Sequence, residues 1–114
     1  MIPIFDLKRQ YNEIKEEIDS VMKKVMDNGF FILGEEVRNF EEEFAKYIGT
    51  KYCIGVASGT DALTIALMAH GLGKGDEVIT AANTASPTAM AILNSGAKPV
   101  LVDCNDFYNI DVDQ

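Results

Sequence analysis

Ser58-Gly59-Thr60-Asp61 is the stretch whose residue types and spacing come nearest to working chemistry. It joins an apolar run ending at Val56 to an amphipathic run through small, hydroxyl and carboxylate residues, as a strand does when it hands over to a helix. A helix that starts there aims unpaired backbone N–H groups and the positive end of its dipole at whatever lies in front of it, which suits an anion and a phosphate above all. Gly59 would let the backbone approach such a ligand closely. The same residues also serve as ordinary helix caps, since Ser, Thr and Asp satisfy a helix start with no ligand present. The local pattern leaves both readings open.

Other candidates carry less. Gly71-Leu72-Gly73-Lys74-Gly75 has the glycines of a nucleotide loop, but it follows a helix and precedes a strand, the reverse of what that geometry requires. It reads as a connecting turn. Asp103, Asn105, Asp106, Asn109, Asp111 and Asp113 have calcium-loop chemistry, yet Phe107 fills a ligand slot and the turn glycine is missing, so solvated turns and a cap at Asp111 explain them. His70, the single histidine, closes a helix where an imidazolium would meet the negative dipole end, and no nucleophile or carboxylate stands beside it. Cys53 and Cys104 lack partners at metal-ligand spacing and read as buried, reduced thiols. No metal site is expected. Phe30-Phe31-Ile32-Leu33-Gly34 is an apolar loop, either packed beneath the flanking helices or in contact with a ligand or a partner subunit.

The positioning elements follow from periodicity. Apolar residues at 7, 11, 14, 18, 21, 22, 25 and 26 predict one helix from Leu7 to Met26, ended by Gly29. Val37, Phe40, Phe44, Tyr47 and Ile48 predict a second from Glu35 to Ile48, stopped by Gly49. An α/β pattern then takes over: strands at 52–56, 77–80 and 99–103, helices at 61–70 and 87–94. Such alternation argues for a parallel sheet whose ligands gather at the carboxyl ends of the strands, where Ser58-Gly59-Thr60 and Ala82-Asn83-Thr84 both fall.

A length of 114 residues leaves room for one compact core, and 47% hydrophobic residues is ordinary globular composition. Ten basic against eighteen acidic residues, a net charge of −8, oppose binding to nucleic acid or to an anionic membrane surface, so a phosphate would be held by local geometry. No stretch reaches the ~20 apolar residues of a membrane span and no basic region leads an apolar core, which makes the cytoplasm the expected compartment.

Taken together, Phe31 to Gly34, Phe40 to Phe44, Ser58 to Leu63, Gly75 to Ile79, Ala82 to Thr84 and Gly96 to Asp103 resemble, in order and spacing, the DegT/StrS family of pyridoxal-phosphate (PLP) nucleotide-sugar aminotransferases. The resemblance covers nearly the whole chain. It implies the N-terminal part of a type I aminotransferase fold, with residues 1–34 forming a helix and a substrate or interface loop and residues 35–114 opening the large PLP-binding domain. It implies a homodimer that transfers an amino group, usually from glutamate, to a keto sugar on UDP or dTDP in deoxyamino-sugar biosynthesis. Ser58, Gly59, Thr60 and Asp61 match the turn that holds the PLP phosphate, and Asn83 and Ala85 match positions bordering the cofactor. Ala85 departs from the pattern, since many relatives carry an aromatic ring stacker there. Phe31, Ile32, Leu33, Gly34 and Thr84 match positions near the substrate.

The family's Schiff-base lysine and the aspartate that keeps the pyridine nitrogen protonated correspond to positions beyond 114, and neither Lys74 nor Lys98 has the matching context. No catalytic residue is therefore expected within these residues, which read as inactive alone and as part of a longer enzyme. A PLP-dependent sugar dehydratase, with His in place of the lysine, and a non-catalytic α/β fragment are the alternatives.

Overall fold

The computed structural model describes residues 4–114 and divides into two compact units, one up to Gly55 and one from Val56 to Gln114. Where length left room for one compact core, the chain forms two units, and the buried hydrophobic residues among those described are Ala45 in the first and Ala91, Ile92 and Ala97 in the second.

The first unit is helical. Helix α1 spans Leu7–Glu13 and opens on Asp6, whose carboxylate accepts from the Arg9 N–H at 3.2 Å. Helix α2 spans Lys15–Asn28, so the one helix predicted over 7–26 is two. The break lies at Ile14 (φ −118°, ψ 16°), whose N–H pairs with Tyr11 O, three residues back, and so leaves the α-helical ladder. Tyr11, Lys15 and Asp19 bridge the break: the Tyr11 hydroxyl donates to Asp19 Oδ1 at 2.7 Å and the Lys15 ammonium donates to both partners. The Asp19 carboxylate, followed by the Tyr11 hydroxyl, holds the Lys15 ammonium well above its usual range, and Lys15 in turn lowers Asp19.

Helix α3, Glu35–Ile48, agrees with the sequence reading residue for residue. Gly29 and Gly49 close α2 and α3 with φ of 66° and 83°, a left-handed conformation that side-chain-bearing residues avoid. Ala45 is buried, but the apolar stripe of α3 (Phe40, Phe44, Tyr47 and Ile48) stays exposed, with the Phe40 and Phe44 rings stacked at 5.5 Å. The expected strand at 52–56 does not form. A strand needs a neighbour for its backbone groups, and here the Gly55 N–H is taken by the Glu41 carboxylate instead.

The second unit is α/β. Helix α4 (Gly59–Ala69) leads to strand β1 (Glu77–Ala81), helix α5 (Ser86–Ser95) and strand β2 (Lys98–Val102). The strands pair in parallel, with Glu77 opposite Lys98 and Ala81 opposite Val102. The predicted parallel pairing therefore holds for two strands. Ala91, Ile92 and Ala97 form the core, where α5 packs against α4 and the strands. Residues 71–76 are a connecting turn, as read: Gly73 N–H donates to the Asp76 carboxylate at 2.8 Å and Asp76 N–H returns to Gly73 O at 3.0 Å.

Candidate functional site

The hydroxyl and carboxylate groups around Gly59 divide their work. Ser58, in an extended conformation (φ −158°, ψ 165°), is the N-cap of α4. Its Oγ accepts from the Asp61 N–H at 3.1 Å and its hydroxyl donates to Asp61 Oδ2 at 2.9 Å, a reciprocal cap. The capping alternative is thus realised, by Ser58 and Asp61 acting on each other. Ser58→Ala should accordingly cost about 1 kcal/mol of stability; urea unfolding that shows no loss would contradict this cap.

Gly59 and Thr60 are left over. Their amides take no acceptor among the described residues, and neither does the Thr60 hydroxyl, whereas the Ala62 N–H already closes the first helical bond on Ser58 O. Gly59 is not in the left-handed region, and a Cβ built on it would meet nothing within 4 Å. Neither backbone conformation nor internal packing therefore requires glycine here. Position 59 opens to free space at the positive end of an 11-residue helix whose first two amides are unpaired, an arrangement suited to a phosphate group.

The second predicted cluster leaves the carboxyl end of β1. Ala82 N–H extends the ladder to Val102 O at 2.7 Å, and Asn83, Thr84 and Ala85 are exposed beyond it. Thr84 Oγ1 lies 3.0 Å from Thr88 Oγ1, and Ala85 is the N-cap of α5 with no side chain to satisfy the helix start. Both clusters belong to this unit. Thr64, one turn after Thr60, donates to Thr60 O at 2.9 Å and reaches towards Ala91 O on α5 at 3.5 Å.

The unit's two lysines stand at the other end of its sheet. Lys98 opens β2 and pairs with Glu77 at 2.7 Å, which raises its pKa, whereas a nucleophilic amine needs the opposite shift. Lys74 lies in the turn before β1. Five-residue strands at about 3.3 Å per residue separate these amines from the carboxyl ends.

Phe31, Ile32, Leu33 and Gly34 lie in the first unit. Gly34 is buried, and a Cβ on it would sit 3.0 Å from Phe30 O. The side chains of Phe31, Ile32 and Leu33 are 69%, 80% and 71% exposed, which overturns the reading of this loop as packed beneath helices. Leu33 adopts φ 52°, uncommon for a residue bearing a side chain. An open hollow of about 510 Å³ beside the loop is lined by Val25, Asn28, Phe30, Phe31 and Arg38 among others.

Three remaining expectations can be placed. His70 caps α4 by donating from Nδ1 to Ala66 O at 2.8 Å, the structural role read for it. Cys53 and Cys104 are free but half-buried; the first lies outside any strand and the second only in an isolated bridge to Ile110, which leaves the expected burial incomplete. Asn105 and Asp111 spend side-chain oxygens on the N–H groups of Phe107, Asn109 and Asp113, and no three acidic, His or Cys residues converge among the described residues.

Residues 12–114 match the model of the DegT/DnrJ/EryC1/StrS aminotransferase family. The chain belongs to this family. Among its relatives, the dTDP-3-amino-3,6-dideoxy-alpha-D-galactopyranose transaminase of Aneurinibacillus thermoaerophilus is 48% identical over 112 residues, covering 97% of this chain and 31% of the relative. A crystal structure of a DegT/DnrJ/EryC1/StrS aminotransferase from Brucella abortus superposes with a TM-score of 0.92 at 37% identity, over 99% of this chain and 31% of that one. NtdA from Bacillus subtilis, solved with its cofactor PMP bound, gives 0.83 at 39% identity, over 91% and 24%. The arrangement of helices and a small parallel sheet is thus that of the N-terminal portion of a type I PLP aminotransferase. The chain spans under a third of the length of these DegT-family relatives.

Proposed function

We propose that this chain supplies the phosphate-holding part of a PLP-dependent aminotransferase that carries an amino group from an amino acid, glutamate in the family reading, to a nucleotide-linked keto sugar. One observation carries the proposal: the unpaired amides of Gly59 and Thr60 at the start of α4, beside a glycine with open space around it, in a chain of this family. Bound PLP would supply the electron sink for chemistry at the amino carbon. The residues of this chain hold it: the two amides and the Thr60 hydroxyl donate to phosphate oxygens, while Ser58 and Asp61 keep the helix end rigid around them.

Asn83 and Ala85 border the cofactor ring in this reading, and the methyl of Ala85 leaves room where an aromatic stacker would sit. Thr84 can contact substrate without giving up Thr88, because a hydroxyl has one donor and two acceptor sites. Phe31 to Gly34 present an apolar surface to the sugar nucleotide or to a second subunit of a homodimer. Residues 1–34 then serve as the substrate and interface arm and residues 35–114 as the start of the cofactor domain. Two free thiols fit a reducing cytoplasm, and among the described residues no helix is long and apolar enough to cross a membrane.

A helix end that offers two amides and one hydroxyl should hold a phosphate only weakly, with Kd on the order of 1 mM. Titration of ¹⁵N-labelled protein with PLP should shift the Gly59 and Thr60 amides, whereas pyridoxal, which lacks the phosphate, should not. Equal response to both compounds would refute the assignment. Borohydride trapping with PLP should give no stoichiometric label on Lys74 or Lys98, and a full equivalent on either would place the reacting amine inside this chain.

A further inference from the structure

Asp61 brings a charge of the wrong sign to a phosphate site. Leaving His70 aside, it is the one charged residue between Lys51 and Lys74, and residues 78–97, which carry Asn83, Thr84 and Ala85, hold none. The segments that form the candidate site in the second unit thus share a single fixed charge, and it is negative. The structure holds that charge in place. The Ser58 hydroxyl donates to Asp61 Oδ2 at 2.9 Å, while the Asp61 N–H is spent on Ser58 Oγ at 3.1 Å. Asp61 joins no ion pair among the described residues, and Lys98, at the other end of the sheet, is already paired with Glu77. A carboxylate in the first turn of a helix is stabilised by the positive end of the dipole, so Asp61 suits α4 as it stands. A phosphate on the Gly59 and Thr60 amides draws on that same end, and the two anions repel each other.

We infer that Asp61 is a specificity-determining residue of the phosphate turn: its carboxylate is an internal anion that lowers the affinity of the Gly59 and Thr60 amides for every external one, so that a phosphate is retained only as part of a ligand with further contacts. This rests on the reading of Gly59 and Thr60 as the phosphate donors. Inorganic phosphate has only its charge and its oxygens to offer and is kept off the helix end, whereas PLP also brings a ring. Asp61→Asn isolates the effect, because the amide oxygen still accepts from the Ser58 hydroxyl, the backbone N–H is untouched and the charge alone is lost.

The test is titration of the ¹⁵N-labelled wild-type chain, Asp61→Asn and Asp61→Ser with PLP, inorganic phosphate and pyridoxal, followed at the Gly59 and Thr60 amides. Asp61→Asn should bind PLP and inorganic phosphate each about tenfold more tightly than the wild type, with pyridoxal unchanged, the size expected for like charges close together at a protein surface. In about 1 M salt, where the screening length is about 3 Å, this gain should shrink to about twofold. A purely structural cap predicts the reverse, since its loss would loosen the turn and weaken binding. Equal or weaker PLP binding by Asp61→Asn, a gain undiminished by salt, or equal wild-type affinities for PLP and inorganic phosphate would overturn the inference and leave the phosphate assignment standing. Amides that ignore PLP in the wild type and in both variants would refute the assignment itself, and the inference with it. If Asp61→Asn does not fold, Asp61→Ser, which also lacks the charge, carries the same comparison.

Discussion

Gly59→Val is expected to remove the response of the Thr60 amide to PLP while changing stability by no more than about 1 kcal/mol. The two effects separate because position 59 is a helix start with ordinary backbone angles and no neighbour within 4 Å of an added Cβ. The protein itself tolerates the side chain, but a branched side chain at 59 adds bulk at the helix start, where an anion has to approach the free amides. Hydrogen bonds to a charged acceptor contribute about 1.5–3 kcal/mol each, so blocking one weakens binding at least about tenfold, and blocking both puts it beyond reach of the titration. Gly59→Ala should fall between, since a single methyl group crowds the helix start without closing it. The measurements are the amide titration and a urea midpoint on the same samples. A Gly59→Val protein that still binds PLP like the wild type would show that the phosphate does not sit on these amides.

Ile92→Ala should destabilise the second unit by about 2–4 kcal/mol. Ile92 is 3% exposed and is the largest of the buried side chains in this unit, between Ala91 at 0% and Ala97 at 4%. With Leu63 and Leu67 of α4, Val78 of β1 and Thr88 of α5 it lines one hollow of the second unit. Truncation leaves a gap where α5 packs against α4 and the strands, in a core with few other large residues to close it. Domains are held by only about 5–15 kcal/mol, so the loss should appear as a clear fall in the urea midpoint. A change below about 1 kcal/mol would mean that this core does not hold the unit together.

The parts of the fold that were legible in the sequence are those whose causes are local. Glu35 to Ile48 could be bounded because its stripe, its acidic first turn and Gly49 all lie inside or beside the helix. The strands at 77–81 and 98–102 were found to within a residue because β-branched runs between glycine turns mark them. Tyr52–Val56 has the same composition but no pairing, and a strand is defined by a partner that its own residues do not encode. The break at Ile14 carries neither Pro nor Gly; it is spanned by bonds among Tyr11, Lys15 and Asp19, and periodicity alone does not reveal it. At the site, Ser58 was readable as a cap from its type and place. Which amides remain free could not be read, because that depended on Ser58 and Asp61 choosing each other. The Glu41 contact escaped entirely, since nothing in a run of three glutamates at 41, 42 and 43 distinguishes the one that turns inward.

The two-stranded sheet has a bearing on how the protein behaves in a tube. Among the described residues each strand is paired on one side only, and Ile79 and Leu101 are more than half exposed. Open backbone edges beside apolar side chains are templates for strand addition. The net charge of −8 opposes such strand addition, with a reach that shrinks to about 8 Å at physiological salt. Near the isoelectric point of 4.5 that repulsion disappears. Acidic, salty buffers therefore favour edge-to-edge association, and dilute neutral ones favour the monodisperse solutions that spectroscopy requires.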